Sequence, residues 1–551
     1  MGRDTLTIII GGEAGQGLVT IGELMVRCLV RSGYHVLSSQ DYQSRIRGGH
    51  NSFVIRTGVN EIKAPHESVD LILALNQETV NLHQGRLNPG GLVIGDQALR
   101  FPEDGALKVP FKELSESRYF NIAALGVVAT VTGLEQNLIS SGVEKALGRK
   151  HSETLAKNQA ALDKAYAWCR ENSIDTLALP PVKSPPRRLA MNGNEAIALG
   201  ALAAGVKFCA FYPMTPSTTI ALNLADRAEK MGLVVEQAED EIAAINMALG
   251  ASYAGAPSMV TTSGGGFALM CEGVSVAGMM ETPVVLAVVQ RPGPATGLPT
   301  RTEQADLEFV LHSGHGEFPR AIFAPGTLEE CFHLTRRAFA LAERFQGPCF
   351  ILSDQFLADS HRAVIPFDLD SGPEVHPAAN MDTEFAKPYE RYAFTQPGVS
   401  PRLLPGLSEN LVVTDSDEHT PDGHLTEDLS VRVKMNQKRL RKLEGLKKET
   451  LPPEWSGEEK PDLLFVSWGS SRGSVLQAAE ILRSGGRKTA CLHFSQVWPV
   501  IPDHFVRRLE EAVQVVAVEG NAFGQMARLI RRETGFGIDK LVLRYDGLPL
   551  T

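Results

Sequence analysis

Short apolar runs that break into glycine recur along the chain, each followed by a stretch where apolar residues return every three or four positions. The first run is "LTIII". It stops at "GGEAGQG" and is followed by "LVTIGELMVRCLVRSGYHV", which predicts a strand, a glycine turn and a helix. "NSFVIRTG", "DLILAL" and "GGLVIGD" read as further strands, so residues 1–175 form one α/β unit. The basic, proline-rich stretch at 176–190 marks a linker. A second α/β segment covers 191–361, with strands at "CAFYP", "PSMVTTSG", "PVVLAVVQ" and "GPCFILSD" and helices rich in alanine and glycine. Residues 362–460 turn polar and carry "RVKMNQKRLRKLEGLKKET", which reads as a helical arm on a long connection, most of it solvated. From 461 to 551 a third α/β segment follows, with strands at "DLLFVSW", "TACLHFSQVWPV" and "VQVVAVEGN". The fold class is α/β, built of several doubly wound domains.

Composition narrows the partners. A chain of 551 residues exceeds what one core organises, which agrees with several domains. The formal charge of −10 argues against nucleic acid, whose phosphates want a basic face, and leaves a protein or a small molecule. Seven cysteines (28, 169, 209, 271, 331, 349 and 491) include no C-x-x-C pair. That speaks against an iron–sulfur cluster or structural zinc held by this chain alone and suits reduced thiols in a cytosol. No apolar run approaches the roughly 20 residues that span a bilayer. "MGRDTLTIIIGG" reaches its glycines too soon for a signal peptide. The expectation is a cytoplasmic protein without a membrane segment.

Six stretches carry candidate chemistry. In "YPMTPSTT", Pro213 fixes its own φ and Pro216 disfavours the α region for Thr215, which suits Thr215 as the N-cap of a helix through "STTIALNLADRAEKMG". A helix start presenting free N–H groups and a hydroxyl also suits a carboxylate or phosphate. In "VEQAEDEIAAINMALGASYAGA" three acids open a helix that is afterwards apolar or small on nearly every side; Glu241, Ile245, Ala248 and Ser252 share one face. Acids there favour the helix dipole, yet a carboxylate entering a buried helix wants a specific partner. "TTSGGGFALMCEG" lets a backbone or a ring come close at Gly264 and Gly265. "QRPGPATGLPTRTEQADL" spaces Arg291 and Arg301 on a loop after a strand, where parallel sheets bind ligands. In the first unit, Gly11, Gly12, Gly15 and Gly17 of "GGEAGQG" allow a backbone to approach phosphates. Arg45 and Arg47 of "YQSRIRGGHN" add two guanidiniums beside a flexible turn.

In this order, "YPMTPSTT", "EDEIAAINMALGASYAGA", "TSGGGFALMCEG" and "QRPGPATGLPTRTEQADL" resemble the α subunit of a 2-oxoacid:ferredoxin oxidoreductase. "GGEAGQG … YQSRIRGGHN" resembles that family's γ domain, here at the N-terminus. The resemblance implies a γ domain over 1–175, a pyrimidine-type thiamine-binding domain over 191–361 and a transketolase C-terminal-like domain over 461–551. It implies thiamine diphosphate, with Tyr212, Pro213, Gly264 and Gly265 beside it. Glu241 would hydrogen-bond the aminopyrimidine and favour the imino tautomer, whose nitrogen takes the thiazolium proton. Thr215 and Arg291 would hold the oxoacid carboxylate, Arg301 a distal one, and the glycines with Arg45 and Arg47 would meet coenzyme A. The family's "GDG" stretch for the diphosphate and magnesium is absent, as are cluster cysteines. Magnesium and a [4Fe-4S] cluster are therefore expected on a β subunit, in an (αβ)2 assembly that reduces ferredoxin. The γ-before-α order is similar to that of enzymes acting on 2-oxoglutarate or on several 2-oxoacids. Pyruvate, branched-chain and aryl oxoacids stay open, as does a non-catalytic scaffold of the same fold. The chain closes on "YDGLPLT", where the resemblance leads one to expect a short further tail.

Overall fold

The computed structural model describes residues 4–43, 49–147, 152–369, 385 and 388–551. The chain forms two compact units, one of residues 1–192, 359–366 and 551, the other of 193–358 and 367–550. No helix among the described residues is long and apolar enough to cross a membrane.

In the first unit the "LTIII" strand runs over Thr5–Glu13. It is central, with Val69–Ala74 parallel on one side and His50–Gly58 antiparallel on the other, so Ile8, Ile9 and Ile10 are all buried. The sheet has eight strands and continues through Leu87–Asp96 to Ala106–Val109 at one edge. Helices Leu18–Arg31 and Phe120–Val131 share a core with it. At the other edge Arg362–Val364 lies between His35–Asp41 and Leu189–Met191. The sequence places 362 at the start of the polar connection. Ladder pairing with Leu37 and Met191 instead draws it into this sheet.

The second unit holds two sheets over one continuous core. In the seven-stranded sheet Val234–Gln237, Phe208–Phe211, Ser258–Thr262, Val284–Gln290, Pro348–Asp354 and Ala321–Phe323 are parallel, and Gln496–Trp498 closes the edge antiparallel. Val284–Gln290 and Pro348–Asp354 are buried along their whole length, as the unbroken runs "VVLAVVQ" and "PCFILSD" require of strands covered on both faces. The five-stranded sheet is built on Leu463–Trp468, with Thr489–Phe494 and Gln514–Glu519 parallel beside it.

The helical arm is present as Leu429–Lys448, but the expectation that it is mostly solvated is wrong on one face. Met435, Lys438, Arg439 and Lys442 are buried. The reason is a carboxylate far away in sequence: Lys438 Nζ lies 2.6 Å from Glu281 Oε1, and the Lys442 ammonium meets the other oxygen. Arg391 donates to the Glu281 carbonyl at 2.8 Å. Burial alone would raise the Glu281 carboxyl, but Lys442, Lys438 and Arg391 hold it down at about 2. Burial pushes Lys442 down to about 7, Glu281 opposing.

Glu281→Gln leaves two buried ammonium groups without a counter-charge, and thermal unfolding should show a loss of about 3–5 kcal/mol. Because Lys442 holds its proton less tightly folded than unfolded, its contribution to stability rises with pH from about 7 toward the ordinary lysine value. Lys442→Met should flatten that rise; an unchanged pH profile would contradict the assignment.

Candidate active site

The parallel strands of the seven-stranded sheet end on one edge, so the loops after Phe211, Gln237, Thr262 and Gln290 converge. After Phe211 the chain turns through Met214 and Thr215, and the helix begins only at Thr218. Thr215 is therefore not its N-cap. Ser217 stands at the cap, its hydroxyl turned back to the Met214 carbonyl at 2.8 Å, while the buried Asn194 amide holds the Pro216 carbonyl. Thr215 is half-buried, and no described residue takes its hydroxyl. Arg291 Nη1 donates to the Thr215 carbonyl at 2.6 Å, which joins two residues 76 positions apart.

The acids of "EDE" divide their work. Asp240 caps the helix Glu241–Tyr253 by accepting from Ala243 N at 2.7 Å, and Glu239 is exposed. Glu241 is thereby free to turn inward and is only 4% exposed. Ile245, Ala248 and Ser252 are buried on its face, as expected; Ile242, Asn246 and Met247 are open, so the helix is not covered all round by this chain. No described residue offers the Glu241 carboxylate a hydrogen bond or a cation. A buried carboxylate in that state makes Glu241 a candidate for a ligand contact.

Glu241 lies against the glycine turn that starts Gly264–Leu269. A side chain at Gly266 would collide with Glu241 Oε1 and Thr262 Oγ1, and the Gly266 N–H points to Met214 Sδ at 3.1 Å. On the other side, a side chain at Gly264 would run into the carboxyl of Asp306. Gly265 instead faces the carbonyl of Ala295, 3.3 Å from where a Cβ would sit. Tyr212 and Pro213 are exposed beside this turn. The neighbourhood also leaves Leu269 and Leu298 exposed.

Asp306, Gly266 and Met214 escaped the sequence reading. Asp306 precedes the helix Leu307–His312 and so looks like a cap, but its side chain makes no capping bond. Burial and the neighbouring Glu303 raise its carboxyl to about 6 against the pull of Arg291. Burial lowers Arg291 in turn, with Asp306 opposing.

Arg301 sits where its segment crosses the C-terminal stretch: Thr302 N donates to the Gly547 carbonyl at 3.1 Å, and a side chain at Gly547 would touch the Arg301 stem. Gln304 pins the segment further, pairing with Gly520 through both backbone and side chain and donating to the Trp468 carbonyl at 3.0 Å.

In the first unit Gly11 and Gly12 belong to the strand Thr5–Glu13 and not to a phosphate loop. Their lack of a side chain serves packing, since a Cβ would strike Thr79 or the Gln16 side chain. Gly15 and Gly17 do form the turn, both at positive φ, and Leu18–Arg31 starts directly after it. They open onto a cavity of about 670 Å³ lined also by Gln16, Lys112, Arg118 and Asn121. Arg45 and Arg47 lie outside the described residues.

An α/β enzyme with a buried, unpartnered glutamate at a glycine turn is the class these features define. Residues 199–438 match the family described as "Pyruvate flavodoxin/ferredoxin oxidoreductase, thiamine diP-bdg", and residues 7–168 match "Pyruvate ferredoxin/flavodoxin oxidoreductase". The chain is 32% identical to 2-oxoacid:ferredoxin oxidoreductase 2, subunit alpha, of Aeropyrum pernix, over 99% of this chain and 96% of that one. It is 28% identical to the 2-oxoglutarate oxidoreductase subunit KorA of Mycobacterium tuberculosis, over 96% and 87%. The solved 2-oxoglutarate:ferredoxin oxidoreductase from Magnetococcus marinus, with 2-oxoglutarate, coenzyme A and succinyl-CoA bound, superposes with a TM-score of 0.92 at 30% identity, covering 100% of this chain and 98% of that one. The chain belongs to the 2-oxoacid:ferredoxin oxidoreductase family, as an alpha-type subunit.

Two glycines separate by geometry. Gly266→Ala should displace Glu241 and lower both bound thiamine diphosphate and turnover by about tenfold or more, while Gly250→Ala, whose added carbon meets no atom of this chain, should stay within about threefold. Cofactor assay and steady-state rates of the assembled enzyme check this; equal effects would place Glu241 outside the site.

Proposed function

We propose that this chain is the γα subunit of an enzyme that oxidatively decarboxylates 2-oxoglutarate to succinyl-CoA, with electrons passing to ferredoxin, and that runs reversibly. The observation that carries the reading is the buried Glu241 carboxylate without a described partner, set against a turn that has no side chains. Those residues fit thiamine diphosphate: Glu241 would take its aminopyrimidine, and Gly264 and Gly265 would let the ring approach, with Tyr212 and Pro213 at the rim. Thiamine diphosphate supplies the carbon nucleophile for a 2-oxo group and a sink for the electrons left by carbon dioxide. Glu241 accepts a hydrogen bond from the ring and so sets which nitrogen carries the proton. The Thr215 hydroxyl and the Arg291 guanidinium, joined through the Thr215 carbonyl, receive the carboxylate of the reacting end. Arg301 meets the distal carboxylate, which would otherwise be buried unpaired.

Coenzyme A is assigned to the first unit, its phosphates at the turn Gly15–Gly17 with Lys112 and Arg118 on the cavity wall. Among the described residues no group of three or more histidine, cysteine, aspartate or glutamate side chains could hold a metal ion. Magnesium and the [4Fe-4S] cluster are assigned to a β subunit, in an (αβ)2 assembly, as the family resemblance implies. The uncovered Ile242, Met247, Leu269 and Leu298 support a protein partner close to the site.

The substrate assignment is tested with Arg301→Met in the complex with its β subunit. KM for 2-oxoglutarate should rise roughly 10- to 100-fold more than KM for 2-oxobutyrate, which lacks the distal charge. Equal rises would move Arg301 to the shared carboxylate, and no change would remove it from the pocket. Lys112→Ala and Arg118→Ala should each raise KM for coenzyme A by about tenfold while leaving KM for the oxoacid unchanged.

A further inference from the structure

The residue left unexplained at the site is Asp306. Three observations set it apart from a helix cap. Its carboxyl makes no capping bond, although it stands directly before Leu307–His312. It presses on Gly264, where any side chain would strike it, so it reaches the same glycine turn that Glu241 reaches from the opposite side. Among the described residues its Oδ2 is buried without a hydrogen-bond partner, and so is Nε of Arg291 nearby. A buried acceptor left unmet costs about 1–3 kcal/mol, so such pairs persist where a ligand completes them. Asp306 is also held in place, its N–H donating to Gln290 Oε1 at 2.9 Å while Gln290 itself is fixed on the Ser353 carbonyl at 3.1 Å.

Resting on the activity proposed above, we propose that Asp306 is a further substrate-binding residue of the reacting end: protonated, it donates to the oxoacid carboxylate that Thr215 and Arg291 receive, so that the anion binds together with one proton. Two ionised carboxylates side by side repel, and a shared proton turns the repulsion into a hydrogen bond. The charged groups facing Asp306 are Glu303 on its own loop and Arg291 from the end of Val284–Gln290; the glycine turn brings none. Burial and Glu303 raise the carboxyl to about 6, so that proximity of a substrate carboxylate, acting in the same direction, keeps the proton on at neutral pH.

The test is titration calorimetry of the complex with its β subunit, using 2-hydroxyglutarate, which offers the same carboxylates without a reactive carbonyl. Runs in two buffers of different ionisation enthalpy count protons. At about pH 7.5 the parent should take up about one proton per anion bound, and its affinity should fall roughly tenfold per unit at higher pH. Asp306→Asn, which keeps a donor but cannot ionise, should take up none, bind with the same affinity across the range, and bind more tightly than the parent at about pH 8.5. Equal proton counts in the two proteins, or pH-independent binding by the parent, overturn the proposal. Should Asp306→Asn fail to assemble, Glu303→Gln decides: removing the like charge must move the binding midpoint to lower pH, and an unmoved midpoint overturns it. A parent complex that reduces ferredoxin with 2-oxoglutarate yet binds the probe without proton uptake rejects the role of Asp306 alone. One that turns over no 2-oxoacid rejects the activity on which that role rests.

Discussion

Two carboxyls can bury themselves against the start of one helix only where its backbone carries no side chains. At Gly266 a Cβ would strike Glu241, and at Gly264 it would strike Asp306, so the turn is bracketed by acids that arrive from different loops. Parallel pairing of Val234–Gln237, Phe208–Phe211, Ser258–Thr262 and Val284–Gln290 delivers those loops to a single edge. Asp240, by taking the capping bond, releases Glu241 for the interior. Without the bare turn neither acid could reach the centre, and Thr215 and Arg291 would border only a loop.

The long segment that carries Arg301 and Asp306 contains prolines and glycines and would cost much entropy to order by itself. Its order comes from elsewhere. Gln304 exchanges hydrogen bonds with Gly520 and donates to the Trp468 carbonyl, at the ends of two strands of the five-stranded sheet, and Gln525 donates to the Ala305 carbonyl at 2.7 Å. The C-terminal part of the chain thus has a task at the site, as the frame that fixes a loop in the neighbouring sheet. Glu281 does similar work behind it, tying Leu429–Lys448 to the end of the helix Cys271–Met279.

Continuous apolar runs made the central strands legible, because a strand buried on both faces has no polar side to alternate with. Glu241 was legible for a related reason, as an acid entering an apolar helix. Where local pattern and tertiary use diverge, reading failed. Gly11 and Gly12 look like a loop, yet they continue a ladder down to Glu13, and their bareness admits Thr79. Asp306 has the position of a cap and does not act as one. Lys438 belongs to a basic run that reads as solvated, and its counter-charge lies 157 positions away, beyond any local window. Thr215 looks like a cap and is not one, since the helix waits until Thr218.

The same chain shows why an arginine and not a lysine stands at position 291. Burial acts on both kinds of cation in one direction, toward loss of the proton. At Lys442 it brings the ammonium to about 7, so that near neutrality the group hovers between charged and neutral despite a carboxylate in contact. At Arg291 burial also lowers the guanidinium, yet from so high a starting value that the charge is kept. The acids respond the opposite way: Asp306 rises to about 6 and Glu303 rises as well. One act of desolvation therefore brings the acids closer to taking up a proton while the guanidinium keeps its charge. The pocket thereby keeps a fixed cation at Arg291 for an arriving anion, while its acids stand ready to take up a proton as that anion binds.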